Sequence, residues 1–398
     1  MKRKNATSAE RKSIATTDLT GTTVGIVGGG IGGLTAALAF ADRGASVCVF
    51  EQAPEFTEVG AGVQITPNAG RVLDALGLLR QLTGLGVVSE AVVPVDGLTG
   101  KPITAFGLTK QSPPYHFVHR AKLIDLLAGA CRDRGVVLRT GTRVVSATPD
   151  GKVMLSKGAP QAADFDLVVF ADGIHSIGRV LLNGASDPFF TGQVAWRAIV
   201  PGNMEACAQI AMGPGKHIVT YPLGPDQINV VAVQERSDWA EEGWSHPDDP
   251  ANLQAAFSDF APNIRELLGR VEQTHLWGLF RHEVAARWQS ERLAIHGDAA
   301  HPTLPFLAQG ANLAIEDAYV LARKVGELGV TEGLPAFQAA RVPRVKRAIG
   351  AANTNAVNYH LAGPRRVASQ MVLKGIGRVA PDAFLKRLSW LYDYDVTN

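Results

Sequence analysis

Cysteine is scarce in this chain. Cys48, Cys131 and Cys207 are the only three in 398 residues, too few and too scattered for a disulfide framework or a metal knuckle. Three reduced thiols in a cytoplasmic protein are expected. An excess of one charge is missing as well: Lys+Arg 39 against Asp+Glu 37 leaves +2, without the basic surplus of a dedicated nucleic-acid protein. No apolar run approaches the roughly 20 residues a spanning helix needs, so no stable membrane association is expected. Repeats and low-complexity tracts are absent. The opening stretch is polar and basic but lacks the apolar core of a signal peptide. Glu10 and Asp18 weigh against a transit peptide, and residues 1–20 read as a flexible tail. What the chain does have is glycine, 42 residues gathered in short clusters, within a composition that is 46% hydrophobic and 19% charged. That balance belongs to a globular protein of two or three structural units.

Order begins at Thr22. Thr23–Val27 reads as a buried strand, followed by Gly28-Gly29-Gly30-Ile31-Gly32-Gly33 and a helix over Leu34–Arg43 that Gly44 ends. A second strand, Ala45–Phe50, closes on Glu51. Such a βαβ unit implies a parallel sheet. Further on, a helix over Leu123–Asp133, a strand over Val136–Arg139, a hairpin of Arg143–Ala147 with Lys152–Leu155, and a strand over Asp166–Phe170 are expected. Between Gly192 and Phe280 the runs Val194–Val200, Ile218–Pro222 and Ile228–Gln234 suggest an antiparallel insertion, interrupted by a helix over Leu253–Leu268. Leu293–His296 is one more strand, and after Asn312 the pattern is helical to the end.

Gly28, Gly30 and Gly33 fit GxGxxG. The first glycine permits a tight turn, the second lets a pyrophosphate approach the backbone, and the third brings the helix close to the strand. Glycine-rich turns are common, but this one lies between strand and helix with an acidic residue, Glu51, at the expected distance of about 20 residues. A carboxylate there accepts hydrogen bonds from a ribose and repels a 2′-phosphate, which points to NAD or FAD. Two later motifs separate those cofactors: Asp172-Gly173-Ile174-His175-Ser176-Ile177-Gly178-Arg179, or DGxxSxxR, and Gly297-Asp298-Ala299-Ala300-His301-Pro302, or GDAAHP. Each follows an expected strand, and a NAD dehydrogenase needs neither.

With these three motifs in this order, the chain resembles the single-component flavoprotein aromatic hydroxylases, the salicylate and p-hydroxybenzoate hydroxylase family, from residue 22 to near its end. The resemblance implies non-covalent FAD and NADH or NADPH as a transient co-substrate. Glu51 resembles the family's ribose ligand, and Arg120 the arginine that reaches FAD from a helix start. Asp172 and Gly173 are similar to the motif that serves both FAD and the nicotinamide, and Asp298 to the aspartate on the ribityl chain. Gly310, Ala311 and Asn312 open a helix whose N-terminus would stabilise negative charge on the reduced flavin. In the insertion, His217, Val219 and Tyr221 share one strand face by two-residue alternation, which makes His217 a candidate base and Tyr221 a candidate hydrogen-bond partner for a phenolic substrate.

The expected architecture is therefore α/β. A Rossmann-like FAD-binding domain with a parallel sheet spans 21–95, 118–190 and 281–340; an antiparallel-sheet substrate domain spans 96–117 and 191–280; a C-terminal helical segment spans 341–398. The expected activity is a cytoplasmic monooxygenase that consumes NAD(P)H and O2 and hydroxylates a phenolic aromatic acid (salicylate-, 3-hydroxybenzoate- or 6-hydroxynicotinate-like) through a flavin C4a-hydroperoxide. Its partners would be the small aromatic substrate, NAD(P)H and O2, with no nucleic acid and no metal; a homodimer is compatible. A quinone- or urate-type hydroxylase is the nearest alternative. A flavin or NAD dehydrogenase should lack DGxxSxxR, and a non-catalytic flavin sensor should lack GDAAHP.

Overall fold

The computed structural model describes residues 18–56, 61–156, 162–237 and 246–398. Most of the expected tail, 1–17, lies outside the described residues.

A six-stranded sheet holds the first unit together. Its order is Gln289–Ser290, Leu293–Ile295, Leu167–Phe170, Thr23–Val27, Ser46–Phe50 and Val137–Arg139. All neighbours are parallel except the edge strand Gln289–Ser290. Leu167 to Phe170 are fully buried, as are Val24, Ile26 and Val49. A parallel sheet is covered on both faces, so its strands read as continuous apolar runs rather than alternating ones. The crossover helix Ile31–Ala41 starts three residues earlier than the apolar spacing suggests, because glycines at its first turn leave no side chain to signal the start. Gly44 follows it with φ +88°, the left-handed conformation that stops a helix.

The second unit is an eight-stranded sheet, ordered His246–Asp248, Thr274–Arg281, Phe189–Pro201, Gln227–Glu235, Lys216–Pro222, Cys207–Gly213, Ala91–Asp96 and Phe106–Gly107. It is antiparallel apart from the pairing of Cys207–Gly213 with Ala91–Asp96. Strand alternation gives it two apolar faces. Trp196, Ile218, Val230 and Ala232 pack outward on Leu253, Phe257 and Phe260 in a core of their own, while Ala195, Tyr221, Val233 and Trp277 join the main core. The outer cover is two helices, Pro250–Ala256 and Pro262–Leu268, where the sequence suggested one. Pro262 lacks the N–H that an interior position would need and takes the first turn of a new helix.

Gly62–Ile65, His116–His119 and Val87–Val88 form a small sheet between the two large ones. The hairpin Val144–Ala147 with Lys152–Leu155 is antiparallel. Helices Gln309–Tyr359, Gly363–Val379 and Pro381–Tyr392 complete the chain, the first bent at Gly329 (φ 76°, ψ 172°). Two expected boundaries fall inside elements. Ala91–Asp96 pairs wholly in the eight-stranded sheet, and residue 341 lies within Gln309–Tyr359.

Candidate active site

A cleft of about 450 Å³ opens where the parallel strands end. Gly28, Gly30, Glu51, Arg120, Asp172, Gly173, Asp298, Gly310 and Ala311 all line it. These residues lie far apart in sequence and meet because ligands bind at the carboxyl ends of parallel strands.

The glycines divide the work. Gly28 has φ +102°, and a Cβ there would sit 2.4 Å from the Ala171 carbonyl oxygen; at Gly33 it would sit 2.0 Å from the Gly28 oxygen. Both are demanded by the protein's own packing. At Gly30 a Cβ would meet nothing within 4 Å; that glycine keeps the cleft side of the loop bare. Glu51 is held at the cleft floor, Oε2 accepting from the Gly29 amide at 2.7 Å and Oε1 from the Ala53 amide at 2.8 Å.

Asp172 accepts from the Ile177 amide through Oδ2 at 2.8 Å. Its Oδ1 is buried with no hydrogen-bond partner among the described residues. Burial pushes this carboxyl up to about 6 against the hydrogen bonds from Ser176 and Ile177. Burial likewise raises Asp298, opposed by His301 and Arg120. A bare glycine wall, an unpartnered carboxylate oxygen and a carboxyl beside an arginine suit a ligand with ribose hydroxyls, a ribityl chain and a pyrophosphate. These residues fit FAD.

Asn312 is different. Its Oδ1 accepts from the Thr66 amide at 2.9 Å and its Nδ2 donates to the Gln64 oxygen at 2.8 Å, so its side chain ties the helix start to the strand Gly62–Ile65 behind the cleft wall. Arg179 is also spent on structure, donating to the Ala300 oxygen at 3.2 Å and the Glu283 oxygen at 2.7 Å, which locks DGxxSxxR to GDAAHP.

His217 and Tyr221 share the inner face of the eight-stranded sheet, as alternation requires. Strand register extends that face into three rows. His217 lies opposite Val233, which faces Ala195; Val219 lies opposite Val231, which faces Arg197; Tyr221 lies opposite Asn229, which faces Ile199. His217, Val233 and Ala195 are buried, and so are Tyr221 and Asn229, whereas Val219, Val231 and Arg197 are only partly buried. Ile199 is partly buried as well, and the middle row lies between His217 on one side and Tyr221 on the other. Tyr221 packs at a tilt of 30° against Phe117 with ring centroids 4.9 Å apart, and a Cβ at Gly62 would meet its ring at 2.6 Å. Burial raises the phenol well above its usual range, opposed by Arg197, so Tyr221 stays protonated and can donate.

Arg197 escaped the sequence reading. Its guanidinium lies over the Trp277 ring at 4.1 Å, and it has no hydrogen-bond or ion-pair partner among the described residues, with Nε fully buried. Burial first, and Arg120 second, bring its pKa down to about 10, so it remains a cation at neutral pH. The available signal was an arginine in the otherwise apolar run Val194–Val200. His217 packs against Phe306 (5.4 Å between centroids) and Tyr359 (5.2 Å). Phe306 belongs to the turn that leads into Gly310 and Ala311, so the inner sheet face and the cleft adjoin.

A family model described as FAD binding domain matches residues 21–352. A 3-amino-4-hydroxybenzoate 2-monooxygenase of Streptomyces platensis is 33% identical over 392 residues, covering 94% of this chain and 96% of that protein. A 3-hydroxybenzoate 6-hydroxylase of Polaromonas naphthalenivorans is 33% identical over 389 residues, again covering 94% and 96%. Among solved structures, a salicylate hydroxylase substrate complex superposes with TM-score 0.79 at 22% identity, covering 94% of this chain and 96% of that one. Klebsiella pneumoniae HpxO with FAD and uric acid superposes with TM-score 0.78 at 24% identity, covering 92% and 94%. The last two likenesses show the fold.

Proposed function

The chain belongs to the FAD binding domain family and is an FAD-dependent monooxygenase, and from that premise we propose that it hydroxylates a hydroxybenzoate-like phenolic acid, with Arg197 as the anchor of the carboxylate. The observation that carries this reading is the unpartnered Arg197 guanidinium on a buried sheet face beside the cleft. A buried cation without a counter-charge is costly unless a ligand supplies one. Two relatives act on hydroxybenzoates by name, and a benzoate carries its charge at one end and its phenol at another.

FAD, when bound and reduced by a nicotinamide, supplies the electrons that activate O2 for insertion of one oxygen atom into the ring. The chain's residues do the rest. Glu51, Arg120, Asp172 and Asp298 would hold the cofactor, and the start of Gln309–Tyr359, which lines the same cleft at Gly310 and Ala311, would offer it the partial positive charge of a helix N-terminus. Arg197 fixes the acid end of the substrate, and Val219 and Val231 give the ring an apolar floor. His217 takes the phenolic proton, which makes the ring electron-rich, and Tyr221 donates to the oxygen left behind. Burial keeps His217 neutral, far below the usual histidine range, so its lone pair is free to accept. The nicotinamide visits the surface; GxGxxG occurs once. Among the described residues no helix is long and apolar enough to cross a membrane.

The test is substrate-stimulated NADH and NADPH oxidation by the flavin-loaded protein across hydroxybenzoates, their amides and hydroxypyridine carboxylates, with product quantified. Turnover of the acids and neglect of the amides is expected. Turnover indifferent to the carboxylate, or a response only to carboxylate-free rings, overturns the reading.

A further inference from the structure

His217 is not an isolated histidine. Its Nδ1 lies 2.7 Å from Nε2 of His360, and Nδ1 of His360 lies 2.8 Å from Oε1 of Glu235. The residues come from three places: His217 from the strand Lys216–Pro222, Glu235 from the end of Gln227–Glu235, and His360 from the cap of the long helix Gln309–Tyr359. Their exposure is graded. The His360 side chain is 2% exposed and the Glu235 side chain 53%, while His217 is buried. The line runs from the inner sheet face to solvent in two hydrogen bonds.

We propose that His217, His360 and Glu235 form the exit path for the phenolic proton, a relay that clears the base after each substrate ionises; it rests on the reading of His217 given above. The hydrogen-bond roles follow from the exposed end. A carboxylate at Glu235 accepts from His360 Nδ1–H, which leaves His360 Nε2 as an acceptor and makes His217 Nδ1–H the donor to it. His217 Nε2 is then a lone pair, and that nitrogen has no hydrogen-bond partner among the described residues. When it accepts the phenolic proton, the proton on Nδ1 passes to His360 Nε2, the one on His360 Nδ1 passes to Glu235 Oε1, and Glu235 gives one proton to water. One proton enters and one leaves; no electron moves. Once product has left, the rings return to their starting tautomers by rotation, or by loss of the His217 Nε2 proton to water balanced by uptake of one proton at Glu235.

Two further observations support the direction. Burial and the neighbouring His360 hold His217 well below the usual range, so a proton left on it is unstable there. Burial also lowers His360, while its bond to Glu235 pulls the other way, which makes the outer ring the better holder of charge. Lys216, next in sequence, is turned away, with Nζ 2.7 Å from Asp259, and Phe306 and Tyr359 pack on His217 with neutral rings; the Arg197 cation lies one row away and two strands across. The path is also held in place. The His360 oxygen accepts from the Gly215 amide at 3.1 Å, and the Glu235 amide donates to the Gly215 oxygen at 2.9 Å.

The experiment mixes the FAD-loaded protein with 3-hydroxybenzoate in a stopped flow, in weakly buffered solution with a pH-indicator dye, and follows proton release alongside the flavin absorbance that reports binding. Glu235→Gln and His360→Gln should bind the ligand with unchanged flavin perturbation yet release the proton more slowly, on the order of tenfold or more. Added imidazole should restore the rate, which no structural brace would allow. Glu235→Gln changes an exposed group, so the test survives a His360 variant that fails to fold. Release at the native rate in Glu235→Gln, or slowing that imidazole leaves untouched, overturns the relay while the functional reading stands. A flavin spectrum that answers neither 3-hydroxybenzoate nor any other hydroxybenzoate overturns the functional reading itself, and the relay with it.

Discussion

Arg341 donates through Nε to Oδ1 of Asp317 at 2.6 Å, with both side chains fully enclosed. The pair is the centre of a larger buried network. Arg341 also reaches Glu316 at 2.7 Å, Arg344 reaches Glu316 at 2.8 Å, and His301 lies 2.5 Å from Asp317. Asp317 Oδ2 accepts from the Gly297 amide at 3.1 Å, and Glu316 Oε1 accepts from Asn68 at 2.6 Å. The cleft wall at Gly297 and the two halves of the long helix are thus tied together by compensated charge.

Arg341→Met should therefore destabilise the protein strongly, by about 3–5 kcal/mol, because it strands buried carboxylates rather than replacing the whole network. Burial would raise Asp317, but His301 and Arg341 outweigh it and hold the carboxyl far below its usual range. A depressed folded pKa contributes stability present above the unfolded value, about 4, and lost as pH falls below it. In the variant the stranded carboxylates can take up protons, so the difference from native should shrink between pH 7 and pH 4. Denaturant melts at both pH values check this; a constant difference counts against it.

Gly30→Ala and Gly33→Ala separate the cofactor's needs from the fold's. A methyl at Gly30 meets open space, whereas at Gly33 it sits 2.0 Å from backbone oxygen. Gly30→Ala should leave the flavin-free protein's stability within about 1 kcal/mol of native while weakening FAD; Gly33→Ala should lower stability by several times that, with or without flavin. Thermal melts of stripped protein and FAD titration distinguish them. Native FAD affinity in Gly30→Ala would place the pyrophosphate elsewhere.

Asp172→Asn gives a pH-dependent gain. The native carboxyl is raised from 3.8 to about 6 by burial, so its contribution is full below about pH 4 and is lost as pH rises through 6. Asparagine cannot ionise, and should stabilise the flavin-free protein at pH 8 by at most about 3 kcal/mol, two pKa units at 1.36 kcal/mol each. At pH 4 the gain should vanish. An equal shift at both pH values points to a cause other than ionisation.

Arg197→Met should lower kcat/KM for a hydroxybenzoate on the order of 10- to 100-fold, the range of a charge-assisted hydrogen bond of about 1.5–3 kcal/mol. Arg197→Lys should recover part of it. A phenol without the carboxylate serves as the control, and an equal loss there removes Arg197 from substrate binding.

Asp298→Ala should weaken FAD by roughly 1 kcal/mol or more without unfolding the chain. Equilibrium FAD binding to the folded variant checks this, and unchanged affinity misplaces the ribityl contact.

Local chemistry was legible in the residues themselves. The left-handed backbone at Gly28 and the bare loop at Gly30 follow from short-range sterics, which act between neighbours in the chain. Strand alternation alone put His217 and Tyr221 on one face, because side chains of a strand point to opposite sides at every step. What alternation does not contain is which strand lies beside which. Pairing of Lys216–Pro222 with Gln227–Glu235, and of that strand with Phe189–Pro201, set Arg197 in the row between those of His217 and Tyr221. His360 stands 143 residues from His217, at the end of a helix whose bend at Gly329 no side chain announces. Asn312 reads as a cofactor contact by its place in the motif, yet the carbonyl and amide of a strand 246 to 248 residues away consume its side chain. Steric rules reach a few residues along the chain, whereas hydrogen-bond partners are assigned only when distant segments pack and each buried polar group takes the nearest one.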